Sequence, residues 1–341
     1  VDFVAELQAP SHPLMPSEWA ANAIMNWLGR VADPLPLILL WTTAGAFIVL
    51  GAALHSRLYP KGFSKAQEGA DTYAAGQTWQ RVASRLLRFL PVTKREFVLK
   101  DLRVFSRDTA QWSQLILLGL LLLVYVFNIR ALPLYPGEKV PYILVTLVVF
   151  LNQGLAGFVL AAIAARFIFP SVSLEGRQLW LLKSSPLDLR AMLWSKYWVG
   201  TAPLLVVALT ITVVTNEILR ASPFMMFLSV VTIACFTMAA GALALSLGVL
   251  YPQFDTENAA QIPTSFGGLV FMMTSILLLA GIIAIEARPV AEHLQLYQMG
   301  EVQEELPAEL WLVLGKVFLL CAAATIIPLQ RSLKRLEALE V

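Results

Sequence analysis

The sequence predicts an all-α, polytopic helical membrane protein. Three observations support this. Of 341 residues, 58% are hydrophobic and only 14% are charged, and mean hydropathy is +0.69, more apolar sequence than a soluble core consumes. The apolar residues gather into seven segments, each near the ~20 residues that cross ~30 Å of hydrocarbon. The charges lie between those segments, so the net charge of +2 says little by itself. Cys235 and Cys321 both sit inside apolar runs, at neither disulfide-framework nor metal spacing, and read as small core hydrophobes.

Residues 1–33 read as an extracytoplasmic or interfacial segment. Pro10, Pro13 and Pro16 precede Trp19, Ile24, Trp27 and Leu28, which suggests an extended piece and then a short helix at a membrane surface. Residue 1 is Val and no signal-peptide pattern precedes the first span, so the start is either processed or internal to a longer chain. The seven spans are expected at 34–54, 112–129, 140–165, 199–216, 224–250, 266–285 and 310–329. Trp112, Tyr142, Trp198, Tyr251 and Trp311 mark their ends, as an aromatic belt does.

Orientation follows from the basic residues. Between His55 and Gln111 stand Arg57, Lys61, Lys65, Arg81, Arg85, Arg88, Lys94, Arg95, Lys100, Arg103 and Arg107, against the acids Glu68, Asp71, Glu96, Asp101 and Asp108. That asymmetry places the segment in the cytoplasm. The stretch 166–196 and the tail, with Arg331, Lys334 and Arg335, fall on the same side by parity. The opposite loops are poor in basic residues. The loop expected at 286–309 holds Glu286, Glu292, Glu301, Glu304, Glu305 and Glu309 against Arg288 alone.

The 56–111 segment has periodicity of its own. Trp79, Val82, Ala83, Leu86, Leu87 and Leu90 share one helical face, with Arg81, Arg85 and Arg88 off it and Pro91 at its end. A second helix puts Phe97, Val98, Leu102 and Phe105 on one side and Lys100, Asp101, Arg103 and Arg107 on the other. Both suit an inner-leaflet interface; solvated linker helices are the plainer alternative.

The stretch 166–196 is too polar for hydrocarbon and too well patterned for a slack loop. Ser185 is placed as an N-cap, Pro186 at the first helical position and Asp188 at the third, facing orphan backbone donors. A short capped helix at 185–193 results, with Leu187, Met192 and Leu193 as its apolar contacts and Arg190 as its exposed charge. The alternative is an interfacial loop with one helical turn. A further stretch, LYPQFDTEN at 250–258, is cytoplasmic by parity but carries Asp255 and Glu257 and no basic residue, and Gly267-Gly268 beyond it permit close helix contact.

The spans contain almost no ionisable group. Lys316 is near enough to an end to snorkel, and His12, His55 and His293 are not mid-span. Buried acids or histidines of the kind that ion-coupled transporters use are therefore not expected. No G-x-x-x-x-G-K-[ST] phosphate loop is present. Neither catalytic nor metal-ligating residues are expected, and energy for uphill transport would come from another subunit. Asn152, Gln153, Thr210, Thr232 and Thr237 could line a substrate path or act as interhelical hydrogen-bonding groups.

Three stretches in this order, LKDLRVFSRDTAQWSQ, FPSVSLEGRQLWLLKSSPLDLRAMLWSK and LYPQFDTEN…IPTSFGGL, resemble the ABC exporter permeases, a branch of the type-2 ABC transporter membrane subunits. The resemblance covers residues 93–330. It implies a six-span core at 112–330, preceded by a connecting helix at 94–107 and followed by a cytoplasmic tail at 331–341. The span at 34–55 is extra to that core and needs a crossing upstream if the true N-terminus is cytoplasmic. It also implies a coupling region at 175–196 that docks on a separate ATP-binding subunit, where ATP and Mg would be held. Candidate partner-binding residues there are Glu175, Arg177, Trp180, Lys183, Ser185, Pro186, Leu187, Asp188, Arg190 and Lys196. Lys100, Asp101, Arg107, Asp108, Asp255, Glu257 and Asn258 complete the cytoplasmic interface.

The function expected from this resemblance is the membrane-spanning subunit of an ATP-driven exporter, with no ATPase activity of its own. A second permease half and membrane lipids are expected partners, and nucleic acid is not. The bacterial plasma membrane is the expected location, with thylakoid or another organelle membrane as the alternative. A membrane scaffold of the same fold, and a membrane-embedded enzyme acting on lipids, are the rival readings.

Overall fold

The computed structural model describes residues 15–68, 91–107, 109–130, 142–178, 184, 188–254, 259–298 and 308–338, and contains no strand among them. Seven of the described helices are long and apolar enough to cross a membrane. The chain is an all-α integral membrane protein, and it divides into two compact units, Val1–Ala83 and Ser84–Val341.

The first unit holds α1 (Pro16–Leu28) and α2 (Leu35–Glu68). Pro16 opens α1, where its missing N–H costs nothing. The chain reverses at Arg30, which takes a left-handed conformation with φ 52°. Asp33 then caps α2, its Oδ1 accepting the Leu35 N–H at 3.1 Å. The expected span at 34–54 is longer than its apolar run. Residues 56–68 continue the same helix rather than starting a separate segment, and Pro60 removes one backbone hydrogen bond without ending it. The expected basic helix at 79–90 lies outside the described residues.

The second unit begins with α3 (Val92–Arg107) and continues through α4 (Thr109–Arg130) and α5 (Tyr142–Phe167). Two short 3₁₀ turns follow, Phe169–Ser171 and Ser173–Gln178. Then come α6 (Leu189–Ile218), α7 (Pro223–Leu250), a 3₁₀ turn Ala259–Thr264, α8 (Phe266–Gln298) and α9 (Ala308–Ala338). Helix α7 is central and packs against α5, α6, α8 and α9. Ser222 caps it through the Met225 N–H at 3.3 Å, with Pro223 as its first residue.

Small residues give α7 its position. Lipid supplies no hydrophobic drive for helices to associate, so close packing must do so. Ala239, Ala240, Gly241, Ala242 and Ala244 are fully buried on α7. A Cβ at Gly241 would meet Thr201 of α6, and one at Gly248 would meet the Phe169 backbone carbonyl. Gly267 and Gly268 act similarly, though on nearer neighbours than expected. They admit Tyr251 and the Pro263 carbonyl, which folds the 259–264 turn onto the start of α8.

Two apolar clusters result. One gathers Phe97, Phe169, Met192, Tyr197, Phe271 and Leu336 at the end where α3 lies. The other gathers Tyr125, Phe150, Leu219, Phe224, Val290 and Leu310 at the far end. Trp112, Tyr251 and Trp311 are exposed at or near helix ends, where an aromatic belt would lie, and Trp198 is exposed in the third turn of α6.

Two helices differ from the expected elements. Residues 189–193, expected in a short helix ahead of the span at 199–216, belong to the same helix as that span. Leu189–Ile218 is one helix of 30 residues, because nothing between Leu189 and Trp198 breaks it. Likewise α8 runs past Ile285 to Gln298, so residues 286–298 are helical and not part of a loop.

Gly248→Ala should lower the unfolding free energy in detergent by about 1–3 kcal/mol through overpacking. Gly119→Ala on α4, where a Cβ meets nothing within 4 Å, should be neutral or mildly stabilising. Tryptophan-fluorescence melting of the two variants compares them directly.

Candidate functional site

The site at the α3 end is assembled from α3, the turns after α5, and the start of α6. Phe169 and Pro170 are buried in the first turn, and Phe169 stacks on Phe271 with ring centroids 6.2 Å apart. The Ser173 hydroxyl accepts the Gln253 N–H at 3.1 Å, tying this turn to the segment after α7. Gly176 follows Glu175 with φ 53° and ψ −138°, a conformation that a side chain would strain.

Four charges converge there. Lys100 Nζ lies 2.6 Å from Glu175 Oε1 and 3.5 Å from Asp101 Oδ1. Lys196 Nζ lies 2.5 Å from the same Glu175 oxygen and 3.7 Å from Asp101 Oδ1. Lys196 also donates to the Ser171 carbonyl at 3.0 Å. The Lys196 side chain is only 5% exposed and that of Glu175 11%. Two ammonium groups and two carboxylates balance, so the buried charges are compensated. Sequence periodicity places Lys100 and Asp101 on the outer, polar face of α3; the structure turns both inward to this cluster, leaving Arg103 exposed.

The register of the 185–193 stretch also shifts. Asp188 has an extended backbone, φ −72° and ψ 111°, and is itself the N-cap, its Oδ1 accepting the Arg190 N–H at 2.9 Å. It is therefore not the third residue of a helix begun by Ser185. Ser185, Pro186 and Leu187 lie outside the described residues, as do Trp180, Lys183, Asp108, Asp255, Glu257 and Asn258. Arg177 falls in the second turn after α5, and Arg107 is the last residue of α3. Met192 and Leu193, expected to meet a partner, are 1% and 3% exposed and pack in the core. The outward face of this first stretch of α6 is Arg190, Trp194 and Trp198, one helical turn apart.

A family model described as "Putative ATP-binding cassette" matches residues 1–341. The chain belongs to that family. No curated protein and no solved structure matches it.

Within this ATP-binding cassette family member, the five residues considered for a substrate path, Asn152, Gln153, Thr210, Thr232 and Thr237, divide into two groups. Thr210 and Thr237 bond to carbonyls of their own helices, at 2.8 Å to Val206 and 2.6 Å to Ile233. The others join helices. The Tyr125 hydroxyl donates to Asn152 Oδ1 at 2.6 Å, linking α4 to α5. Gln153 Nε2 donates to Glu286 Oε2 at 2.7 Å, and the Thr232 hydroxyl donates to Glu286 Oε1. Those two bonds bind α5, α7 and α8 to one carboxyl.

Glu286 is fully buried, and the sequence reading misses it by ending the span at Ile285. A usable signal exists. Ser275, Leu279, Ile282 and Glu286 recur at helical spacing, and all four are buried on one face of α8. Gly154 and Gly157 on α5 let α8 approach, since Cβ atoms there would stand 2.9 Å from Ile283 and 2.6 Å from Leu279.

Glu175→Gln and Lys196→Met should each destabilise the protein by about 3–5 kcal/mol, because each strands a buried charge. The double variant should cost less than the two together. Lys100→Met should cost about 1 kcal/mol or less, since its side chain is 36% exposed. Asp188→Ala should cost about 0.5–2 kcal/mol through the lost cap. Denaturant melts of the purified chain measure all five.

Proposed function

We propose that this chain is the membrane-spanning subunit of an ATP-driven exporter, and that a separate subunit binds and hydrolyses the ATP. The observation that carries the proposal is the four-charge cluster. It joins α3 and the 169–178 turns to the first two turns of α6, and α6 runs on as one helix of 30 residues. At 1.5 Å per residue that is a lever of about 45 Å. Force applied near Asp188 and Arg190 would reach the far end of the bundle along one continuous helix, in which Pro203 leaves a single backbone hydrogen bond unmade.

Three further points support the reading. The family is that of the ATP-binding cassette. The chain has seven membrane-competent helices. Its sequence has no phosphate-binding loop of the G-x-x-x-x-G-K-[ST] kind, which points to ATP held on a partner. The cytoplasmic side in this proposal is the α3 end. Arg190 and Trp194 offer a charged and an aromatic contact there, and Leu187 stands three residues before Arg190 in the sequence.

The purified chain alone should hydrolyse no ATP above a contaminant blank. With its ATPase partner, Arg190→Glu and Leu187→Asp should weaken co-purification, the latter by several kcal/mol through a charge in a desolvated contact. Both variants should accumulate in the membrane at wild-type levels. ATP hydrolysis by the isolated chain, or unchanged binding and stimulation of the partner in both variants, contradicts the proposal.

A further inference from the structure

The carboxyl of Glu286 sits where an uncompensated charge is costly. It is fully buried, on a helix that is apolar enough to span a membrane. It lies 20 residues beyond Phe266, about 30 Å along α8 at 1.5 Å per residue, between the two apolar clusters. Ile282, one turn before it, belongs to the first cluster, and Val290, one turn after it, to the second. Among the described residues no basic side chain pairs with it, in contrast to Glu175, which has two lysines.

Its neighbours offer oxygen as well as hydrogen. Thr232 and Gln153 both donate to it. Gln153 is itself 3% exposed, and its Oε1 is buried without a hydrogen-bond partner. A buried amide oxygen left unpaired costs about 1–3 kcal/mol and calls for an explanation. Pro289 has no N–H to give the Ile285 carbonyl, so a second oxygen, on the residue beside Glu286, loses its helical donor. One carboxylate, one hydroxyl and an orphan amide oxygen come from three different helices. Among the described residues, the titratable groups within electrostatic reach are the thiols of Cys235 on α7 and Cys321 on α9. Of the α5 side chains, Gln153 is the one that bonds to Glu286.

We propose that Glu286, with Gln153 and Thr232, binds one exchangeable monovalent cation, a proton or an alkali ion, within the bundle. The cation neutralises the carboxylate and gives Gln153 Oε1 a partner once the amide turns. Its binding tightens α5 and α8 against α7, and its loss leaves a bare carboxylate that drives the three helices apart or draws in water. The site stands independently of any ATPase partner, so it can fail while the exporter reading holds, and the reverse.

The test uses the purified full-length chain in detergent. Melting temperature is measured in choline, sodium and potassium chloride and across a pH series, for wild type and Glu286→Gln. In parallel, wild type is treated with the apolar reagent dicyclohexylcarbodiimide, which adds to a protonated carboxyl, and Glu286 is followed by mass spectrometry. Labelling that falls with rising pH, by up to about tenfold per pH unit, and ignores sodium and potassium identifies the proton. Several-fold protection by sodium or potassium at fixed pH, with a rise in melting temperature, identifies the alkali ion. Glu286→Gln should lose whichever response wild type shows. If that variant does not accumulate, the wild-type labelling decides. A wild-type protein indifferent to pH and cation in both measurements, or a Glu286→Gln variant that keeps the full response, overturns the proposal.

Discussion

The thin face of α7 is the constraint on which the rest of the bundle depends. A helix surrounded by four others in lipid has no hydrophobic gradient to hold it, and contact area at close range must do that instead. Gly241 and Gly248 remove the side chains that would keep α6 and the Phe169 turn at a distance. Once those backbones close, Phe169 reaches Phe271 and the turns after α5 pack beside the start of α8. The charge cluster at the α3 end can form only because this turn is already pinned there.

The two buried polar groups show how differently one chain can treat charge. At the α3 end, Glu175 and Asp101 face Lys100 and Lys196, and a backbone carbonyl takes up a further Lys196 hydrogen. The cluster is neutral and spans three elements, which suits a rigid joint. At Glu286 the donors are a hydroxyl and an amide, neither of which carries charge. Balance on one side and imbalance on the other follow from depth. The first cluster lies where residues leave the apolar region and lysine stems can reach inward, while among the described residues no basic side chain pairs with the second.

Much of the fold was legible because span length and hydropathy are set by the bilayer and not by neighbours. Six of the seven spans begin within three residues of their expected starts, and the fourth begins at Leu189, ten residues before the expected 199. Their ends were less legible. An apolar run stops where hydropathy falls, whereas a helix stops where its backbone bonds stop, so α2, α8 and α9 extend beyond their apolar runs. Of the candidate site, Lys100, Asp101, Glu175 and Lys196 were each singled out, but as a surface for a partner. The pairs that tie α3 to Glu175 and Lys196 join residues 75 or more positions apart, and one-face periodicity on α3 cannot see a neighbour brought in from another helix. Met192 and Leu193 were assigned outward for the same reason, since only the rotation of α6 against α3 decides which of its faces is covered.

The sequence by itself determined that this chain is helical and membrane-embedded, because those properties sum over residues: hydropathy over about 20 positions and helix propensity over each run. It also carried the family resemblance, which rests on local motifs. Only the tertiary structure decided which polar residues are spent inside the protein and which face outward. It made Asp188 the cap of α6, turned Lys100 and Asp101 toward Glu175, and drew Glu286 from an expected loop into the core. The physical reason is that burial and pairing are properties of two or more segments at once, and their energies exist only after α7 has brought those segments within a few ångströms of one another.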